Sequence, residues 1–164
     1  MLALFDLDNT LIDRSVGLEE WARGFVRLRS LPHGAEAFIC DQLCERVHPE
    51  DFVDLQAVLG LEDDPGDLWH EYVEGIARSV RCFPGVKEGL EALRGAGWTI
   101  GIATNGVGDI QRAKLAETGL APLFVGICVS GEVGVRKPEH RLFEAAAAEC
   151  GVARGPGPQM AHTP

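Results

Sequence analysis

The sequence predicts an α/β fold: a doubly wound parallel sheet with helices on both faces, interrupted by a helical insertion. Three observations predict it. A short apolar run opens the chain and ends in aspartates. From residue 82 onward, apolar strand-like runs alternate with amphipathic helical patterns. Residues 15–81, by contrast, carry helical patterns and no convincing strand.

Residues 2–8, with Leu2, Ala3, Leu4, Phe5 and Leu7, read as a continuous apolar strand suited to the middle of a parallel sheet. Helices are expected at about 16–29, 35–47, 50–59 and 66–80, where Pro32, Pro49 and Pro65 lie at or near starts and Gly34 and Gly60 mark breaks. The α/β alternation resumes after Phe83-Pro84-Gly85. A helix over 86–94 has apolar positions at Val86, Leu90 and Leu93 and stops at Gly95-Ala96-Gly97. Residues 98–104 form the second strand. The next helix, 109–118, carries Ile110, Ala113, Leu115 and Ala116. Residues 124–129 form the third strand. The alanine-rich segment 139–150, between Pro138 and Gly151, forms the last helix. The expected organisation is a discontinuous core of 1–14 and 82–150, an insertion of 15–81, and a disordered Pro/Gly-rich tail of 151–164.

The net charge of the 164 residues is −10. The insertion concentrates it, with fourteen acidic against six basic residues. This balance argues against nucleic acid and against an anionic membrane surface as partners. No run approaches the ~18 apolar residues of a membrane span. The first residues lack a basic flank and run directly into Asp6 and Asp8, unlike a signal peptide. Five scattered cysteines fit reduced thiols better than a disulfide framework. Together these features predict a cytoplasmic protein. Cys40 and Cys44 could share a helix face, but no nearby His or Cys completes a four-ligand metal set.

The chemistry centres on Asp6-Leu7-Asp8-Asn9-Thr10. Alternate residues on a strand point the same way, so Asp6 and Asp8 can address one site. Two carboxylates at the end of a buried strand need a cationic balance, and a hard divalent metal is the obvious one. The plainer reading is a strand-ending aspartate with a solvated neighbour. Thr104-Asn105-Gly106 ends the second strand before a helix, where a hydroxyl and backbone N–H groups make a phosphate cradle; alone it is a good turn. Lys137, between Arg136 and Pro138, can neutralise a carboxylate and a transferring phosphoryl group; alone it is a surface lysine.

In this order, the three segments resemble the motifs of the haloacid dehalogenase superfamily. Asp6, Asp8 and Thr10 match its Asp-x-Asp-x-Thr, Thr104 its second motif, and Lys137-Pro138 its third. The resemblance extends to about Cys150, which frames the core as the family's Rossmann-like sheet and 15–81 as its α-helical cap. It implies a phosphatase-like branch, because the dehalogenase branch lacks the second aspartate. It implies Asp6 as nucleophile, Asp8 as general acid and then base, and Thr104, Asn105 and Lys137 as the phosphate-binding groups. It implies Mg2+ held by the Asp6 carboxylate and the Asp8 main-chain carbonyl, and a small phosphorylated metabolite as substrate. Phosphomutase and dehalogenase chemistry are the more distant options.

The family's fourth motif, an acidic pair on a further strand, has no match. No Asp or Glu follows Glu149, and His162 falls near the expected place with the wrong chemistry for magnesium. The sheet is therefore expected to be C-terminally incomplete, the 2–7 strand to lie at an exposed edge, and the chain to be a shortened member with weakened metal binding and activity. An impaired homologue with a binding or vestigial role is the alternative to the enzyme. Trp21, Arg23 and Arg27, on the first helix of the insertion, are candidates for substrate contact or simply for packing and solvation.

Overall fold

A computed structural model describes residues 1–152. The core is a parallel three-stranded sheet of β1 (Leu2–Phe5), β2 (Thr99–Thr104) and β3 (Gly126–Val129), in the order β1-β2-β3. Leu4 pairs with Gly101, and Thr104 with Val129. Between β1 and β2 lie α1 (Arg14–Arg29), α2 (Ala35–Leu43), α3 (Asp51–Leu59), α4 (Pro65–Ser79) and α5 (Val86–Gly95). After β2 come α6 (Gly108–Glu117) and a 3-10 turn (Ala121–Leu123), and after β3 come α7 (Ser130–Val133) and α8 (His140–Glu149). The 3-10 turn and α7 are not legible in the sequence.

The two sheet faces differ in side-chain size, and that difference sets the layers. Ile100 and Ile102 are fully buried on one face, with Leu90 of α5 and Ile110 and Leu115 of α6 in the same apolar cluster. The alternate residues of β2 and β3 are Gly101, Ala103, Gly126 and Cys128. Ala103 and Cys128 cluster with Leu142 and Ala146 of α8. A methyl group built on Gly126 would lie 2.8 Å from the backbone of Glu149, and one on Gly101 would strike the Cys150 sulfur. The alanine-rich α8 therefore packs almost backbone to backbone on the sheet, as the alternation of β2 and β3 requires.

The helical insertion has its own aromatic centre. Trp21 of α1 meets Tyr72 of α4 edge-on at 4.8 Å between ring centroids, and Phe52 of α3 lies 5.3 Å from Tyr72. Helix α4 also packs along α6, which joins the insertion to the sheet.

Several boundaries differ from the sequence expectation. The first strand ends at Phe5, not residue 8, and its four residues are half-buried. It lies at the edge of the described sheet, so its apolar run is not matched by burial on both sides. After it the chain turns: the N–H groups of Thr10, Leu11 and Ile12 all converge on the Leu7 carbonyl. Asp6 and Asp8 thus lie beyond the regular strand, and period-two geometry does not govern them. The third strand begins at Gly126 instead of residue 124: the Phe124 N–H still closes the 3-10 turn onto the Ala121 carbonyl, and Val125 is exposed. Helix α2 stops at Leu43 instead of residue 47, where its last carbonyls turn to the Arg14 side chain. His162 and all but the first two residues of the expected tail lie outside the described residues.

Candidate functional site

The site forms where the loops after β1, β2 and β3 meet at the C-terminal ends of the strands, the usual place for ligands in an open parallel sheet. Glycine backbone fits the loops together. Gly131 N–H donates to the Gly106 carbonyl at 3.0 Å, and Gly106 N–H donates to Ser130 Oγ at 3.1 Å. A methyl group on Gly131 would lie 2.6 Å from the Gly106 oxygen, so this crossing demands glycine.

Two ionic centres result. In the first, Lys137 Nζ lies 2.6 Å from Asp6 Oδ2. Asp6 Oδ1 accepts the N–H of Leu7 at 2.8 Å, which fixes the carboxylate's rotation. Asn105 holds the lysine's loop: its Oδ1 accepts Lys137 N–H at 2.9 Å. In the second, Lys114 Nζ donates to Asp8 at 2.8 Å and 3.0 Å, one distance to each oxygen. Gln111 Nε2 lies 3.1 Å from Asp8 Oδ2, 2.9 Å from Thr104 Oγ1 and 3.1 Å from the Asn105 carbonyl. Its Oε1 accepts from Lys114 Nζ at 3.0 Å, which sets the amide's orientation, since an ammonium can only donate.

The structure therefore sets Lys137 against Asp6 through its ammonium and against Asn105 through its backbone, and joins Thr104 to Asp8 through Gln111. Thr104 is fully buried. The two aspartates address different lysines, which differs from the shared direction expected of alternate strand residues. Burial lowers the affinity of the Lys114 ammonium for its proton, and Asp8 opposes that shift.

Arg14 ties this centre to the insertion. Its guanidinium donates to the carbonyls of Leu43 (2.6 Å), Cys44 (2.5 Å) and Glu45 (2.9 Å), closing the C-terminal end of α2. Its Nε lies 4.0 Å from Asp8 Oδ2. Asn9 orients Arg14: at φ 55° its Oδ1 accepts the N–H groups of Arg14 and Ser15. A cleft of about 250 Å³ opens beside Asp8, with Arg14, Arg46, Tyr72, Lys114 and Arg136 on its walls. Burial pushes the Tyr72 phenol up to about 12, so it remains a neutral hydroxyl at ordinary pH.

Sequence reasoning missed Arg14, Gln111 and Lys114. Apolar residues predict the helix 109–118, yet Ala116 is exposed while Gln111 and Lys114 are each 1% exposed. The available signal was their i, i+3 spacing on one helix face immediately after Thr104-Asn105-Gly106. Trp21, Arg23 and Arg27 do not line the cleft beside Asp8. Trp21 is buried against Phe25 and Tyr72, Arg23 pairs with Glu36 at 3.4 Å, and Arg27 is exposed.

The donors for a divalent cation suit magnesium in kind. Asp6 offers hard carboxylate oxygens, and a main-chain carbonyl from Asp8 would add another. They are few: among the described residues no group of three or more His, Cys, Asp or Glu side chains could hold a metal. Magnesium tolerates this, because it commonly keeps several waters and binds through one or two carboxylates plus substrate phosphate.

A sequence model of haloacid dehalogenase-like hydrolases matches residues 1–158. The chain belongs to that family, a family of hydrolytic enzymes. It is 36% identical over 91 residues to pyrimidine 5'-nucleotidase YjjG of Escherichia coli, covering 56% of this chain and 40% of the relative. It is 42% identical over 86 residues to phosphoserine phosphatase of Thermus thermophilus, covering 51% and 34%. It is 28% identical over 163 residues to glyceraldehyde 3-phosphate phosphatase of Methanopyrus kandleri, covering 91% and 70%. The matches thus span less than half of the first two relatives' own length. Among solved structures, the HAD phosphatase from Thermococcus onnurineus superposes with a TM-score of 0.60 at 25% identity, over 93% of this chain and 73% of that one. YfnB of Bacillus subtilis, in a form bound to magnesium, superposes with a TM-score of 0.63 at 23% identity, over 87% and 69%. No described helix is long and apolar enough to cross a membrane.

Proposed function

We propose that the chain hydrolyses the phosphomonoester of a small phosphorylated metabolite through an aspartyl-phosphate on Asp6, with residues 15–81 as a cap over the site. The contact between Lys137 Nζ and Asp6 Oδ2 carries this reading. A lysine on the carboxylate of an Asp-x-Asp motif neutralises an anionic nucleophile that must meet an anionic substrate. The phosphatase and nucleotidase names of the relatives support the reaction class.

In this mechanism an Asp6 oxygen attacks phosphorus, the P–O bond to the leaving alcohol breaks, and Asp8 gives the departing oxygen its proton. Asp8, now a carboxylate, takes a proton from the water that attacks the aspartyl-phosphate, releasing phosphate and restoring Asp6. Asn105 and the end of β2 hold the phosphoryl oxygens, and Lys137 keeps its charge on them throughout. The Asp6 carboxylate and the Asp8 carbonyl would hold Mg2+, which supplies charge neutralisation between nucleophile and phosphate. The second aspartate favours phosphoryl transfer over dehalogenation. The walls of the cleft beside Asp8 carry four cationic side chains, which suits a compact anion despite the acidic insertion.

The test is hydrolysis of p-nitrophenyl phosphate across a magnesium titration, with chelator and with Asp6→Asn as controls. Turnover that rises with magnesium and disappears in Asp6→Asn supports the reading. A folded chain that turns over no faster than Asp6→Asn refutes it and leaves a binding role.

A further inference from the structure

We propose that Lys114 is a positioning residue for proton transfer by Asp8, acting with Gln111; this rests on the phosphatase reading above. The observation is an ammonium buried to 1% exposure whose partners are Asp8 and the Gln111 amide. Burying an ammonium is costly, and a leucine such as the adjacent Leu115 fills apolar space without that cost. Packing alone does not account for a lysine here; the contact with Asp8 does.

The geometry defines what Lys114 does. An aspartate side chain chooses among staggered χ1 rotamers and has a broad χ2 unless its oxygens are held. Lys114 contacts both Asp8 oxygens, and Gln111 adds a donor on Oδ2. When Asp8 carries its proton on Oδ1, Oδ2 still accepts from both donors, so the same clamp serves the acid and the base form. The lysine and the glutamine lie one turn apart on α6, whose first turn follows Thr104 at the end of β2 and the short loop bearing Asn105. Gln111 also bonds Thr104 Oγ1. One helix thereby holds both the Asp8 carboxylate and the Thr104 hydroxyl at the end of β2.

In the step concerned, the electron pair of the breaking P–O bond goes to the leaving oxygen, which receives the Asp8 proton. A good leaving group needs that proton little, and a poor one needs it greatly. The decisive quantity is therefore how steeply kcat/KM falls as the leaving phenol becomes more basic, read with p-nitrophenyl, 4-methylumbelliferyl and phenyl phosphate. All three esters are assayed on one preparation, so their ratios do not depend on the folded fraction. Lys114→Met is the variant; it leaves the Asp8 carboxylate without its ammonium and is expected to cost stability, which is why the ratio among esters and not the absolute rate is read.

Lys114→Met is expected to lose about tenfold more kcat/KM on phenyl phosphate than on p-nitrophenyl phosphate, part of the 10²–10⁴-fold that positioned proton transfer supplies. Asp8→Asn should steepen the dependence further. Equal losses of Lys114→Met on all three esters would overturn the proposal and make Lys114 a packing residue. A folded wild-type chain inert on every ester would instead overturn the phosphatase reading, and this proposal with it. The two failures are distinguished by the wild-type rate.

Discussion

Lys137 Nζ and Asp6 Oδ2 are 2.6 Å apart, although 131 positions separate the two residues in the chain. The contact joins the loop after β1 to the loop before α8 across the ends of the strands. It sets a cation directly against the Asp6 carboxylate. Lys137→Met is expected to lower kcat/KM for p-nitrophenyl phosphate by about 10²–10³-fold, the range seen when one preorganised charge-stabilising group is removed. Steady-state kinetics with an unchanged circular dichroism spectrum checks it. A loss below tenfold would mean that the neutralising charge comes from elsewhere.

The close approach of α8 to the sheet predicts an intolerance of added volume. Gly126→Ala would put a methyl group 2.8 Å from Glu149 backbone and 2.9 Å from Cys150 N, where no flexible side-chain end can move aside. A loss of about 1–3 kcal/mol is expected. Gly89, within α5, has nothing within 4 Å of its added methyl. Gly89→Ala is expected to stabilise by about 0.4–1 kcal/mol through the unfolded chain. Denaturant unfolding of both variants reads the contrast.

Arg14 is expected to be a stability residue as well as a wall of the cleft. Arg14→Met strips three carbonyls at the end of α2 of their donor and removes a cation beside Asp8. The expected cost is about 3 kcal/mol, since hydrogen bonds from charged groups are each worth about 1.5–3 and do not add fully. Urea denaturation measures it. A change under 0.5 kcal/mol would show that water replaces the guanidinium at those carbonyls.

One pair carries a pH signature away from the site. Arg112 donates to both Glu132 oxygens, at 2.6 Å and 2.7 Å, and holds the Glu132 carboxyl below its usual range. A depressed carboxyl favours the folded state above its unfolded pKa and loses that contribution as pH falls through its folded pKa. Wild-type stability should therefore exceed that of Glu132→Gln at pH 7, by under about 1 kcal/mol because the pair is solvent-screened. The difference should close in acid, below the folded pKa. Paired unfolding curves at neutral and acid pH measure this; a gap that persists in acid would assign the effect to packing.

Much of this architecture is legible in the sequence because apolar period and chain punctuation act locally. The alternation of Ile and small residues in β2 marks its two faces, and Gly-Ala-Gly after Leu93 marks a helix end. The motif residues Asp6, Thr104, Asn105 and Lys137 stand out in the sequence because each lies where an apolar run ends or a few residues ahead of a helical pattern. What the sequence hides is tertiary. Lys114 and Gln111 look like solvent-facing helix residues, and only the neighbourhood of Asp8 makes their burial favourable. Arg14 falls just ahead of the helix expected at 16–29, and nothing local marks it until the end of α2 comes to lie against it. Asp6 and Asp8 pair with different lysines because β1 ends at Phe5 and the chain then turns on the Leu7 carbonyl, which takes both residues out of the strand period.

The central claim is that Asp6 carries the phosphoryl group. Acid quench of the chain during turnover of p-nitrophenyl phosphate with magnesium, followed by borohydride reduction and peptide mass spectrometry, tests it most directly. Reduction of an aspartyl-phosphate yields homoserine, and the account predicts that product at position 6, dependent on substrate and absent from Asp6→Asn. Turnover with position 6 recovered as unmodified aspartate, and the reduced residue found elsewhere or nowhere, would contradict it.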